Sequence, residues 1–196
     1  MPISGADESG VTKVFIRSER LFLRPGWPED WREIAERIAD EAVVRNLARA
    51  PWPYSADDAR KFLAQVADWW LPQQLVTLPG VDGSRIVGCI GLTRNGGDVE
   101  LGYWIAREHW GQGYATEAAR AMLALAQTLG HRRLVAHHFV DNPASGRVLA
   151  KLGFRPVGAQ RERHCAARGG PAMAQGYALD LAEPGNGSDP VLKLAA

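Results

Sequence analysis

The chain has 196 residues, of which 46% are hydrophobic and 23% charged, with a formal net charge of +1. That length suits one domain, or one domain with a tail, and allows a real core to be buried. The even charge balance offers no basic stripe for nucleic acid or a membrane surface, and two cysteines, Cys89 and Cys165, make no disulfide framework.

The N-terminus shows no basic-then-apolar leader, and no apolar run approaches the ~18 residues of a membrane span. Reduced thiols and a cytoplasmic location are the expectation. Residues 1–10 are small and polar and read as a mobile end; residues 183–196, rich in Gly, Pro, Asn and Ser, read as a flexible tail. The domain lies between, at residues 11–182. Seven tryptophans predict a compact core with aromatic pocket walls.

Residues 11–24 read as a strand or bent hairpin that Pro25 stops. Residues 28–39 are helical, with Trp31, Ile34, Ala35 and Ile38 on one face, and a short helix or turn follows over 41–47. Pro51-Trp52-Pro53-Tyr54 interrupts. Ser55 then caps a helix, with Asp58 completing a capping box, and this helix is expected to reach Trp70 with Val66, Trp69 and Trp70 in the core. Residues 75–78 and 85–93 form a hairpin, and Gly88 and Gly91 inside it predict a bulge or a close backbone approach. A second turn at 94–98 leads to a third antiparallel strand.

The stretch over 100–129 organises the chain. Residues 100–105 are rich in β-formers, Gly111 and Gly113 flank Gln112, and Tyr114 onward is helix-forming up to Gly130. Glycines ahead of a helix let several backbone N–H groups point into one space, where the positive end of the dipole favours a phosphate. On spacing alone, the same glycines also serve a plain strand-to-helix turn. Neither standard nucleotide template fits. No Gly-Lys-Ser/Thr follows Gly113, and Thr116 stands where a dinucleotide fingerprint needs its third glycine.

Residues 134–140 form the next strand. His137 and His138 are adjacent there, face opposite ways and cannot chelate one metal, so no metal is expected. Asn142 caps a helix with Pro143 at its first position, ending at Gly153-Phe154. Residues 155–160 and 176–181 read as two closing strands joined by a polar loop over 161–175.

Two motifs in order, W-G-Q-G-Y-A-T-E-A after E-L-G-Y-W-I, then D-N-P-A-S-G-R-V-L-A-K-L-G-F, resemble the GNAT superfamily of acyl-CoA N-acyltransferases. The branch they resemble is that of the ribosomal-protein N-terminal acetyltransferases, whose familiar opening matches S-E-R-L-F-L-R-P at Ser18. In the family's Gln/Arg-x-x-Gly-x-Gly/Ala signature, Gly113 and Ala115 match, and Trp110 replaces Gln or Arg. The resemblance covers residues 18–181. It implies an α/β (α+β) fold with a mixed, mostly antiparallel sheet of six or seven strands flanked by helices and splayed at the cofactor slot. It implies acetyl-CoA as cosubstrate, with N–H groups of Gly111, Gln112, Gly113, Tyr114, Ala115 and Thr116 on its pyrophosphate. Backbone at Trp104, Ile105 and Ala106, with Asn142, would hold the pantetheine arm, and Ser145 would sit near the thiol.

Glu100, on the central strand, is the expected base. A carboxylate near ~4.3 is weak in that role, which suits an α-amine near ~8 better than a lysine near ~10.4. The tyrosine acid common in this fold is replaced by Leu149, leaving Ser145 or Tyr103 to protonate the thiolate. The leading acceptor is a protein or peptide N-terminus. Amino acid, polyamine and antibiotic acceptors stay open, as does a non-catalytic acyl-CoA sensor for which Leu149 is the support. Monomer and homodimer are equally compatible with the sequence.

Overall fold

The computed structural model describes residues 14–65, 68–81 and 83–181. The expected mobile end at 1–10, the tail at 183–196 and Val66 lie outside the described residues.

Strands β1 (Ile16–Arg17) and β2 (Phe22–Arg24) form the expected hairpin. A 3-10 turn at Pro28–Asp30 leads into α1 (Trp31–Ile38) and then α2 (Glu41–Val44). Ser55 caps α3 (Ala56–Leu63), and its capping box with Asp58 is formed. This helix ends earlier than the pattern suggested, and Trp69 is exposed rather than in the core. Trp70 instead packs against His131, with ring centroids 4.1 Å apart and the rings tilted by 41°.

Three antiparallel strands follow: β3 (Gln73–Gly80), β4 (Gly83–Asn95) and β5 (Asp98–Ile105). Then come α4 (Tyr114–Thr128), β6 (Arg133–Phe139), α5 (Pro143–Lys151), β7 (Arg155–Cys165) and β8 (Gly170–Asp180). The sheet has eight strands in the order β1-β2-β3-β4-β5-β6-β8-β7, one more than the upper expectation. The extra strand is counted because the short N-terminal segment folds into two.

The polar stretch over 161–175 is not a loop. Most of it belongs to β7 and β8, which pair from Arg161↔Ala174 out to Cys165↔Gly170. Almost every β7 residue is exposed. A strand without a buried face shows no alternation of apolar and polar residues, so its sequence resembles a loop.

β4 lies at the centre. Ile86 and Cys89 face the α1 and α3 side, while Val87, Ile90 and Leu92 join Ala118, Ala119 and Met122 of α4 in the main core. Helices cover both faces, which explains the continuous apolar run in the middle of this strand. Opposite Val76 and Thr77 the register slips, leaving Val87 as an extra residue. Gly88, next to this bulge, permits a very close strand approach. A Cβ there would collide with the Trp104 carbonyl oxygen and lie 2.8 Å from Ile105 Cδ1. Both expectations for that glycine, bulge and close approach, hold.

Candidate active site

β5 and β6 run parallel but pair only at Glu100↔Val135. Beyond that pair they separate, so the slot-facing edge of β5 has no strand partner. A cavity of about 680 Å³ fills the gap. Residues 100–105 of β5, 136–139 of β6, Asn142 and Ser145 line it, together with Gly111 and residues 113–116. On the opposite side lie residues 46–51, Tyr54 and Phe62.

The glycine loop opens onto this cavity. Gly111 and Gly113 hold left-handed φ angles of 76° and 82°, as they must to turn successive N–H groups the same way. The first helical bond of α4 runs from Glu117 N–H to Gly113 O, leaving the N–H groups of Tyr114, Ala115 and Thr116 ahead of the ladder. Nothing lies within 4 Å of a Cβ placed on Gly111, and on Gly113 only Arg20 Nη2 does, at 3.5 Å. This open cradle fits an anion such as a pyrophosphate.

The loop is held from behind. Arg20 donates from Nη1 to Gln112 O at 3.0 Å and from Nε to Glu117 at 2.8 Å. Its guanidinium also lies 4.7 Å from the centre of the Tyr114 ring. Burial opposes ionisation of Glu117, yet the Arg20 N–H, Ser18 and the Arg20 guanidinium keep it below the usual carboxylate range. Trp110, at the departure from the family signature, donates its indole N–H to Ile105 O at 2.7 Å. It ties the loop to the end of β5.

Two of the expected cofactor residues lie off the cavity. Ala106 is fully buried and its N–H donates to Val87 O at 2.8 Å, so it has none to offer a ligand. The Gln112 side chain turns back to Glu108 O at 3.2 Å. Trp104, Ile105, Gly111, Gly113, Tyr114, Ala115, Thr116, Asn142 and Ser145 all line the cavity. Asn142 caps α5, its Oδ1 accepting from Ser145 N–H. Of the Trp52-Pro53-Tyr54 loop, which contains a cis Trp52-Pro53 bond, Tyr54 borders the cavity and Trp52 does not.

The three expected catalytic residues fall into two groups. Tyr103 Oη and Ser145 Oγ are 2.8 Å apart. Burial pushes the Tyr103 phenol up to about 12, with the Ser145 hydrogen bond working the other way. Leu149 is 1% exposed, an ordinary core residue of α5.

Glu100 stands at the foot of the slot with partners that the sequence did not announce. Arg163 donates to both of its oxygens, at 2.9 and 3.1 Å. Asn95 donates at 2.9 Å, and His137 Nδ1 lies 3.2 Å from Oε1. Burial alone would raise the carboxyl, but the hydrogen bonds from His137 and Arg163 and the Arg163 charge bring it down to about 2. Arg163 reaches the slot because β7 slips register between Val157 and Arg161 and the hairpin end packs on the segment after α2. There Ala166 N–H donates to Ala48 O at 3.0 Å and Arg168 Nε to Arg45 O at 2.8 Å, while the Arg168 guanidinium clasps Asp141. The one signal for Arg163 in the sequence was a string of alternating charged residues in a segment that read as a loop.

A parallel strand pair that splays over a glycine-led helix, with a hydroxyl pair at the far wall, defines an acyl-CoA N-acyltransferase fold and slot. Residues 20–155 match the acetyltransferase (GNAT) domain family, and the chain belongs to that family. It is an acetyl-CoA-dependent N-acetyltransferase.

The chain is 36% identical over 153 residues to the uncharacterized N-acetyltransferase YoaA of Bacillus subtilis (strain 168), covering 75% of this chain and 86% of YoaA. A shorter stretch of 56 residues, 28% of this chain and 31% of its relative, is 41% identical to the ribosomal-protein-serine acetyltransferase of Escherichia coli (strain K12). An acetyltransferase structure from Bacillus anthracis superposes with a TM-score of 0.72 at 25% identity, covering 85% of this chain and 98% of that one. RimL, the ribosomal L7/L12 alpha-N-protein acetyltransferase, shares the fold in its complex with coenzyme A. Its TM-score is 0.71 at 20% identity, over 85% of this chain and 98% of that one. These neighbours agree with a place in the RimJ/RimL-like branch.

Among the described residues no helix is long and apolar enough to cross a membrane.

Proposed function

We propose that this acetyltransferase acetylates the α-amine of a protein or peptide N-terminus by direct attack on acetyl-CoA. The carrying observation is the Glu100–Arg163 pair. The carboxylate at the foot of the slot already has a bound cation, so it offers little to the ammonium of a lysine or polyamine. An amine with a larger neutral fraction has less need of such a partner. At pH 7 an α-amine of pKa ~8 is about 10% neutral, against about 0.04% for a lysine side chain. The similarity to a ribosomal-protein-serine acetyltransferase and to RimL, an alpha-N-protein acetyltransferase, points the same way.

In this reading the N–H groups at Gly113, Tyr114, Ala115 and Thr116 hold the pyrophosphate, and Asn142 with the backbone at Trp104 and Ile105 holds the pantetheine arm. Tyr103 and Ser145 give the departing thiolate its proton. Glu100 contributes a fixed negative charge, since four hydrogen bonds already hold it. The Tyr103 hydroxyl beside Ser145 supports an acid in place of the one Leu149 cannot supply, which favours an enzyme over a non-catalytic acyl-CoA sensor.

Thiol release measured with a free N-terminal peptide, an N-blocked lysine peptide and spermidine tests the acceptor. The free N-terminus should lead in kcat/KM by at least about tenfold, in line with the difference in neutral fraction. A higher kcat/KM for spermidine or the lysine peptide would overturn the assignment.

A further inference from the structure

Acetyl transfer to an amine releases a proton that some group must accept, and Glu100 is poorly suited to accept it. Both of its oxygens are occupied by Arg163, and Asn95 and His137 add further donors. The adjoining group that can take a proton is His137. Its Nδ1 lies 3.2 Å from Glu100 Oε1. An ionised carboxylate only accepts hydrogen bonds, so the ring proton of the neutral imidazole must sit on Nδ1. That leaves Nε2 with its lone pair free. None of the hydrogen bonds among the described residues engages Nε2.

The surroundings keep that lone pair open. His137 lines the cavity and its side chain is 26% exposed. The residue paired with it on β8 is Gly176, where a Cβ would come within 3.4 Å of Nε2. The charged groups facing the ring are Glu100 from β5 and Arg163 from β7; β8 faces it with a glycine. The neighbouring His138 is engaged at both nitrogens, with Phe139 O at 2.8 Å and the Tyr177 hydroxyl at 3.3 Å.

We propose that His137 is the general base of the transfer, with Glu100 as the positioning residue that fixes its tautomer and Arg163 as the clamp that keeps Glu100 an acceptor. The amine nitrogen forms its bond to the acetyl carbon and its proton passes to His137 Nε2. The carbon–sulfur bond breaks, and the sulfur takes a proton from the Tyr103–Ser145 pair. A base oriented by a carboxylate in this way contributes typically 10²–10⁴-fold. The proposal rests on the amine-acetylating reading above.

The test is the pH profile of kcat/KM for wild type, His137→Gln and His137→Asn, with acetyl-CoA binding followed by thermal shift as the check on folding. On the acid side the wild-type profile should fall with the second power of proton concentration, one proton for the amine and one for the imidazole. In both variants it should fall with the first power, with a rate at least about 100-fold lower and acetyl-CoA binding retained. Glu100→Gln should lower the rate with acetyl-CoA binding retained, because the group that fixes the imidazole tautomer is lost. A first-power wild-type profile, or a His137 variant within about threefold of wild type, would overturn the role. If wild type prefers a small amine to the N-terminal peptide, the acceptor assignment fails, and the same profile run with that amine still decides the role of His137.

Discussion

The Tyr103 hydroxyl on β5 and the Ser145 hydroxyl on α5 lie 2.8 Å apart at the wall of the slot. Either can donate to the other, so a proton lost from one can be replaced through its neighbour. With its phenol pushed up to about 12 by burial, Tyr103 stays a donor throughout the working pH range. Tyr103→Phe and Ser145→Ala should each lower kcat by about 10- to 100-fold while leaving acetyl-CoA affinity nearly unchanged. The double variant should be little worse than the more damaged single, because the pair acts as a unit. A double-mutant cycle on thiol release, combined with acetyl-CoA titration, reads both effects.

Arg163→Met should alter stability in a pH-dependent way. The folded Glu100 titrates at about 2, below its ordinary 4.5, so its ionised form stabilises the fold. That contribution is fully present above about 4.5 and disappears as pH falls through about 2. Without the guanidinium, His137 is left as the group opposing burial and the carboxyl moves upward. Stability at pH 7 should fall by about 1–3 kcal/mol, and the loss between pH 4.5 and 2 should become shallower. Urea midpoints across that pH range measure the change.

Arg20→Ala should weaken acetyl-CoA binding without touching the acceptor. Arg20 lies behind the glycine loop and holds the Gln112 carbonyl at 3.0 Å, which keeps the N–H groups on the opposite side directed into the slot. At a side chain as exposed as Arg20, such a hydrogen bond contributes about 1 kcal/mol, so Kd should rise about fivefold. The KM for the amine should stay within about twofold, since the acceptor side does not meet the loop. Isothermal titration and steady-state kinetics distinguish the two.

Gly88→Ala should damage stability and cofactor binding together. The added methyl would meet the Trp104 carbonyl, which is backbone and has little room to move. Overpacking of this type costs about 1–3 kcal/mol. The strain would displace the end of β5, where Trp104 and Ile105 line the slot, so acetyl-CoA should bind less tightly as well. Gly97→Ala, in a turn where nothing lies within 4 Å of the new Cβ, is the control and should be nearly silent. Thermal unfolding with and without acetyl-CoA gives both readings.

Much of this architecture was legible in the sequence. Ser55 and Asp58 formed their capping box, Asn142 and Pro143 opened α5, and Gly111 and Gly113 took left-handed angles in the turn into α4. Each of these signals is local, carried by residues within a few positions of one another. The doubly covered strand β4 showed itself by an apolar run, because packing on both faces imposes one. The outer half of the β7–β8 hairpin was hidden for the converse reason. Of its residues only Cys165 and Ala174 are buried, too few and too small to mark it by periodicity as strand.

The constellation at Glu100 was decided by tertiary structure alone. Arg163 and His137 reach Glu100 from 63 and 37 residues away. No spacing rule connects such positions; their meeting follows from the register slip in β7 and the splay of β6 from β5. The sequence by itself determined the glycine loop, the helix caps and the strands that frame a slot, because local backbone conformation and burial dictate them. It could supply a carboxylate but not its charge environment. That environment depends on which distant cation and imidazole the folded sheet brings within hydrogen-bonding distance.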